Sequence, residues 1–550
     1  MKTLRDRCSK RLEGLKSVRK DYEADWRETA RLAQPARSRF LSSDKDKNLR
    51  RARNASLFDE HGLFASRTLA NGMTSGLSSQ SRPWFQLSTY DDALTEQPDV
   101  KAWLDDVEKR LYSFFASTNF YGASKTGYLE LGLFGTEACV MAEHDQAGAV
   151  CHSLTAGEYW IATSTALVAD TLYRRVPMSV RQTVDTFGKA VSQRVQRLYD
   201  TSNYDEVVNV FHAIEPRADR DTAKIDGRNK PWASVWWDED DGNCHTVLRE
   251  GGYDEQPFWA PRWDTTGSDT YGYSPGMEAL PSLRELQMQS KRRNEAIDHL
   301  IKPELITPAG MKITRQPGNV VSASSVDAAG VQPSFVPDYR VVQAVSEEIN
   351  KSKEAIDRLF YADLFMAITN MQGIQPRNME EIASRNEEKL TQLGPVIERV
   401  NTEKLEVAID RAFAIMQRKG LLQPPPDALE GKDLKINFVS ILTQMQRMVG
   451  IGQIERTAGF VGNLAGVFPE AVDKINVDEM IDEYAERAGA PARLIRSSDE
   501  VAKIREQRAQ QQAMQQAAAN APAVRDGAEA ARLLSETDTG SGSLLEALAG

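Results

Sequence analysis

Residues 277–301 read MEALPSLRELQMQSKRRNEAIDHLI, a run with no internal glycine, a proline only near its start, and strong helix formers nearly throughout. At 1.5 Å rise per residue, about 25 such residues make a rod near 37 Å long. Residues 341–365 predict a second rod of nearly equal length, with Val345, Ile349, Ile356, Leu359 and Phe360 on one side and Glu347, Glu348, Lys351 and Lys353 on the other. Between the rods, residues 302–340 contain Pro303, Pro308, Pro317, Pro333 and Pro337 and the β-like patches KITR and NVVSAS. That stretch is too broken for helix. Two matched rods with a compact cap between them predict a long antiparallel pair.

Downstream, MAITNMQGIQPRN at 366–378 has no helical period and contains Gly373 and Pro376, which predicts a loop. A long helix is expected over 379–420, kinked where Gly394 and Pro395 interrupt it, because proline removes a backbone donor. QPPPDALEGKDLKINFVS then predicts a turn and a short strand over 423–440. Residues 441–515 read as helices broken at Gly450, Gly462, Pro469 and 489–491, and the Ala/Gly/Ser-rich 516–550 as a disordered tail.

Upstream, Leu4, Leu12, Leu15, Val18, Tyr22 and Trp26 fall at helical spacing over 1–35, and Pro35 ends the helix. A basic loop over 38–53 leads to a second helix at 57–77, whose Gly72, Ser75 and Gly76 allow close backbone approach before SRPWF closes the segment. Two more amphipathic helices are expected at 100–115 and 122–134. Over 138–178, ACVMAEH, AVCHSL, EYWIATS and LVADTLYRRV mix β-branched and aromatic residues between turn signals and predict a β-meander. VRQTVDTFG returns to helix, and a further strand group at 206–262 includes a hairpin turned by DEDDGN. The fold class is therefore mainly α, with an α+β middle.

The chain has 550 residues, 41% hydrophobic and 27% charged, an ordinary globular balance that predicts two to four structural units. No apolar run reaches the length of a membrane span, and the first sixteen residues, MKTLRDRCSKRLEGLK, lack the apolar core of a secretory signal, so a cytosolic setting is expected. Cys8, Cys139, Cys151 and Cys244 are too few and scattered for a disulfide framework. The net charge of −11 argues against a broad basic grip on nucleic acid but suits a wall that nucleic acid slides past.

Catalytic and cofactor signals are weak. The two GK dipeptides, at Gly188 and Gly431, lack the upstream glycine and the following Ser or Thr of a phosphate loop, and no HExxH, GxSxG or calcium-loop pattern occurs. Cys139, His144, Cys151 and His152 match no zinc spacing, so core and surface roles in a sheet are preferred and no metal is expected. The run Asp238, Glu239, Asp240 and Asp241 fills one turn, where two-metal carboxylates come from separate elements; a solvated turn is the better reading. Lys291, Arg292 and Arg293 form the most interesting charge cluster, either a solvated face or, if the rod repeats around an axis, a ring of positive charge.

The order of these elements resembles that of the portal proteins, the head-to-tail connectors of short-tailed double-stranded DNA bacteriophages. TLANGMTSGLSSQSRPWF at 68–85 is similar to the family's small-residue helix ending in a Pro-Trp-Phe plug. YGYSPGMEALPSLRELQMQSKRRNEAIDHLIKPEL at 271–305 resembles the approach to its first stem helix. EEIASRNEEKLTQLGPVIERVNTEKL and INFVSILTQMQR resemble the segment after its tunnel loop and the strand leading to its C-terminal helices. The likeness covers roughly residues 20–510.

The resemblance implies a non-enzymatic ring, typically of twelve subunits, at one capsid vertex of the virion, assembled in the host cytoplasm, through which double-stranded DNA is packaged and ejected. It implies a wing at 1–276, stem helices at 277–301 and 341–365, a clip at 302–340, a tunnel loop at 366–378, a long kinked helix and wing return at 379–440, and a crown at 441–515. Asn370, Gln372, Gln375, Arg377 and Asn378 would then face the bore. Lys312, Arg315, Phe335 and Tyr339 would dock the terminase motor and later the tail adaptors. Capsid and scaffolding proteins are further implied partners; no cofactor and no membrane are. A terminase or nuclease subunit is the alternative, and the missing phosphate loop and dispersed carboxylates oppose it. A coiled-coil scaffold would need heptads that are not sustained here.

Overall fold

The computed structural model describes residues 3–40, 57–95, 97–239, 247–302, 305–306, 332–333, 338–369, 387–448, 451–466, 468–488, 496 and 501–512. The chain divides into two compact units, residues 1–449 and 450–550. Among the described residues no helix is long and apolar enough to cross a membrane.

Helix α1 (Leu4–Ala33) begins on a reciprocal cap in which Thr3 Oγ1 accepts the Asp6 N–H at 3.2 Å and Asp6 Oδ2 accepts the Thr3 N–H at 3.0 Å. It buries Leu12, Leu15 and Trp26, as its periodicity predicts, while Val18 faces solvent. Helix α2 (His61–Leu77) starts four residues later than expected. Trp84 and Phe85, at the start of β1 (Phe85–Thr89), are fully buried against Phe115 and Phe120. Helices α3 (Pro98–Ser117) and α4 (Phe120–Phe134) follow.

Strands β2 (Ala138–His144), β3 (Gly148–Leu154), β4 (Tyr159–Thr163) and β5 (Ala169–Ser179) lie where the sequence predicts them. After helices α5 (Val180–Phe187) and α6 (Gln193–Asp200) come β6 (Val207–Pro216), β7 (Trp232–Asp238), β8 (Arg249–Tyr253) and β9 (Phe258–Trp259). They do not form one meander. A three-stranded sheet has the order β3-β2-β9 and a five-stranded one β4-β5-β6-β7-β8. The chain leaves the first sheet through a tight turn closed by the Glu158 N–H to the Thr155 carbonyl at 3.0 Å, where the buried Glu130 carboxylate of α4 accepts hydrogen bonds from Thr155 Oγ1 (2.9 Å) and the Ala156 N–H (3.0 Å) and pins the turn to the helix. Asp238 also departs from the expectation of a solvated turn. It is the last residue of β7, it is buried, and its carboxylate accepts from Ser192 Oγ at 2.7 Å. Glu239 is exposed, and Asp240 and Asp241 lie outside the described residues.

The first rod is α7 (Leu280–Ile301) and the second α8 (Tyr339–Leu359), with β10 (Leu305–Ile306) paired antiparallel to β11 (Gln332–Pro333) at their far end. The patches KITR and NVVSAS lie outside the described residues. The second rod stops six residues short of the expected end, because Tyr361 adopts a left-handed backbone with φ of +53°. A separate helix, α9 (Ala362–Thr369), follows, so positions 366–369 are helical and not loop. They were misread because the reason is tertiary: Leu364 and Phe365 are fully buried, and a Cβ at Gly72 of α2 would lie only 2.1 Å from Phe365 Cδ1.

Helix α10 (Glu387–Val400) continues through Gly394 and Pro395, with the proline inside the helix. Its buried face of Leu390, Leu393, Val396, Ile397 and Val400 offsets the roughly 3 kcal/mol of an interior proline. The irregularity falls later, as a π-helical turn (Asn401–Glu406) before α11 (Val407–Arg418). Strand β12 (Leu434–Phe438) then pairs antiparallel with β1, Phe438 opposite Phe85, closing the first unit. Helix α12 (Ile441–Met448) belongs to this unit, with Leu442 and Met445 fully buried and Leu442 packed against Gly76. The second unit holds α13 (Ile451–Ala465), which continues through Gly462, and α14 (Val477–Ala488).

Candidate functional site

Leu280, Leu283 and Leu286 bury the first turns of the rod α7, and the next turn is held by Gln287. Its Oε1 accepts the N–H groups of Phe58 (2.7 Å) and Asp59 (3.2 Å) while its Nε2 donates to the Asp59 carbonyl at 2.7 Å. The Asp59 carboxylate meets Lys353 of the second rod at 2.9 Å. One short segment therefore ties both rods at the same level. His61 adds a 2.9 Å contact to Asp357, whose carboxyl burial pushes up despite the neighbouring imidazole, and Arg284 pairs with Glu28 of α1.

Beyond Ser290 the first rod has no buried residue. Lys291 is exposed, pairs with Glu295 at 3.8 Å and sits 5.9 Å from the Phe58 ring centroid. Arg292 is exposed and Arg293 half-buried, and neither has a carboxylate partner among the described residues. On the same distal half, Ile297, Ile301, Tyr339 and Val341 are exposed. Tyr339, one of the expected docking residues, is the exposed first residue of α8. The other expected docking residues, Lys312, Arg315 and Phe335, and the expected bore residues Asn370, Gln372, Gln375, Arg377 and Asn378 lie outside the described residues.

The interior carries charge that the sequence reading missed. Lys404 and Glu137 are both fully buried and meet at 2.8 Å, with the Lys404 ammonium 3.7 Å from the Tyr128 centroid and Trp259 Nε1 donating to Glu137 at 3.0 Å. The adjacent Glu403 pairs with the buried Arg262 at 2.8 Å. Successive residues on an α-helix diverge by about 100°. The wider π turn lets Glu403 and Lys404 both reach the core. Nothing in NTEKLE marks this, since alternating charge on a helix reads as a solvated face.

None of this is catalytic apparatus. Cys139 and Cys151 are buried, and burial together with the neighbouring Cys151 holds the Cys139 thiol well above its ordinary value, which makes it inert. His144 accepts the N–H groups of Gln146 and Ala147 and caps the β2–β3 turn. No group of three or more candidate metal ligands occurs among the described residues.

A family model described as "Bacteriophage head to tail connecting protein" matches residues 5–495. The chain is 38% identical to the portal protein of Salmonella phage epsilon15, over 100% of this chain and 98% of that one. It is 39% identical to a probable portal protein of Bordetella phage BPP-1, over 96% and 94%. Superposition on a chain from the virion of a native gene transfer agent particle gives a TM-score of 0.32 at 10% identity, covering 77% of this chain and 89% of that chain, a likeness that adds nothing to the assignment. The family and full-length matches show that the chain belongs to the bacteriophage head to tail connecting proteins, a structural and not an enzymatic family.

Proposed function

We propose that twelve copies of this chain close into a ring at one capsid vertex, forming the channel through which double-stranded DNA enters the head and leaves it. The observation that carries this reading is the full-length match to two portal proteins. The structure is compatible with it. The two rods are anchored at one end and leave apolar and basic side chains uncovered along the other, as a stem packed between neighbours requires. At −11 per chain, twelve copies carry about −130, which favours passage of DNA over sticking.

In this reading residues 1–276 form the wing, the two rods the stem, and 302–340 the clip that docks first the terminase motor and then the tail adaptors through Lys312, Arg315, Phe335 and Tyr339. Asn370, Gln372, Gln375, Arg377 and Asn378 make weak, sequence-independent phosphate contacts in the bore. Residues 441–515 form the crown. Light scattering on a sizing column followed by negative-stain imaging tests the proposal. The expected particle is a ring with a central channel and a mass near twelve times 61.3 kDa. A monomer or dimer that hydrolyses ATP or cuts DNA would overturn it.

A further inference from the structure

The five-stranded sheet, the β2–β3 hairpin and helix α11 enclose a cavity of ≈ 650 Å³ that no role above uses. The strand register puts one residue from each of four neighbouring strands in a row, Arg174 of β5 opposite His212 of β6, His212 opposite Trp236 of β7, and Trp236 opposite Arg249 of β8; Arg174, Trp236 and Arg249 line the cavity and the buried His212 backs them. Directly opposed residues share a face of the sheet, so the row presents two guanidinium groups flanking an aromatic pair. The His212 and Trp236 rings stack with centroids 3.8 Å apart. Arg174 Nε donates to His212 Nδ1 at 3.1 Å, which leaves His212 Nε2 to donate to Ser234 Oγ at 2.9 Å. The imidazole is neutral in that arrangement.

Charge compensation around this cavity is uneven. Lys230 pairs with Asp254 at 2.7 Å, Arg418 with Glu143 at 2.6 Å, and Arg411 with Glu255. Arg174 and Arg249 have no carboxylate partner among the described residues, although Arg174 is only 6% exposed. They are held by aromatic faces instead. The Trp236 centroid lies 5.5 Å from the Arg174 guanidinium carbon and 5.8 Å from that of Arg249, so the two charges are at most about 11 Å apart. A guanidinium taken out of water without a counter-charge is destabilising unless something supplies one. Burial first, and then the charges of Arg174 and Arg249, hold the His212 imidazole well below its ordinary value, in keeping with the neutral ring that its hydrogen bonds require.

We propose that this cavity is a binding site for an oxyanion, a phosphoryl group or a carboxylate, seated between Arg174 and Arg249. Both arginines offer planar donor forks that match such oxygens in pairs. The volume suits a metabolite-sized ligand or one projecting group, and it is far too small for a duplex. The site lies within one chain, so it does not depend on ring closure.

Calorimetric titration of the full-length protein tests this, with inorganic phosphate in one arm and acetate in the other, at ionic strength fixed by chloride. Saturable binding of either is expected. Phosphate alone identifies a phosphoryl ligand and acetate alone a carboxylate. Arg249 is exposed, so Arg249→Gln removes one fork without opening the core and is expected to weaken binding at least tenfold with an unchanged melting temperature in chloride. Arg249→Lys keeps the charge but loses the fork and is expected to fall between, which preserves the test if the glutamine variant fails to fold. No saturable heat with either anion, or an affinity unchanged in both variants, would overturn the proposal.

Discussion

Lys404 and Glu137 have no exposed surface, and each is the other's counter-charge. Burial alone would push the Lys404 ammonium down, but Glu137 and Tyr128 reverse this and hold it above its ordinary value, so the ammonium stays charged in the core. Such a pair is poor evidence of net stabilisation, because both ions lost their hydration on folding; what it does ensure is that neither partner can be lost alone. Lys404→Met strands the Glu137 carboxylate beside Trp259 and is expected to destabilise the protein by about 3–5 kcal/mol. Lys404→Met combined with Glu137→Leu removes both charges and is expected to recover most of that loss. Denaturant unfolding of the two variants is the measurement. A double variant as unstable as the single one would show that the cost lies in packing and not in the orphaned charge.

At the scale of elements, the contact of α2 with α9 is made by the absence of a side chain. A Cβ at Gly72 would lie 2.1 Å from Phe365 Cδ1, whereas one at Gly122 in α4 would meet nothing within 4 Å. Gly72→Ala is therefore expected to destabilise by about 1–3 kcal/mol through overpacking. Gly122→Ala is expected to be neutral or stabilising by up to about 1 kcal/mol, as helix propensity alone dictates. Thermal melts of the two variants check the contrast; equal effects would mean that helix propensity, not packing, sets both. The same contact explains where the sequence was legible and where it was not. The rods could be read because the evidence for them is local: helix formers in phase over twenty residues. The small residues of α2 announced a close approach but not its partner, and so residues 366–369 read as loop. The strands of 138–178 were legible one by one, yet the turn where the chain passes from one sheet to the other is held by Glu130, a buried carboxylate that looks like a surface residue of α4. The helix around Pro395 was legible and is held by its buried neighbours, while the π turn carrying Glu403 and Lys404 has no sequence signature at all.

Over the whole molecule the net charge is negative, and the one basic cluster that stood out in the sequence sits on the uncovered half of a rod. If twelve rods surround a bore, Lys291, Arg292 and Arg293 recur as a belt within an acidic ring. The three residues are not equivalent. Lys291 is already engaged by Glu295 and by the Phe58 face, whereas Arg292 and Arg293 have no carboxylate partner among the described residues, so the arginines should carry most of any attraction to phosphate. Each phosphate contact made by a cation releases condensed counterions and steepens the fall of binding with salt by about 0.9 in a log–log plot. The triple alanine variant is therefore expected to hold DNA with a shallower salt dependence than the parent, and Lys291→Ala alone to change that slope least. Retention of DNA in assembled particles over a salt titration measures it. Parallel slopes for the parent and the triple variant would remove the belt from the channel and leave these side chains a role between neighbouring rods, where Arg292 and Arg293 would find their missing carboxylates on the next subunit.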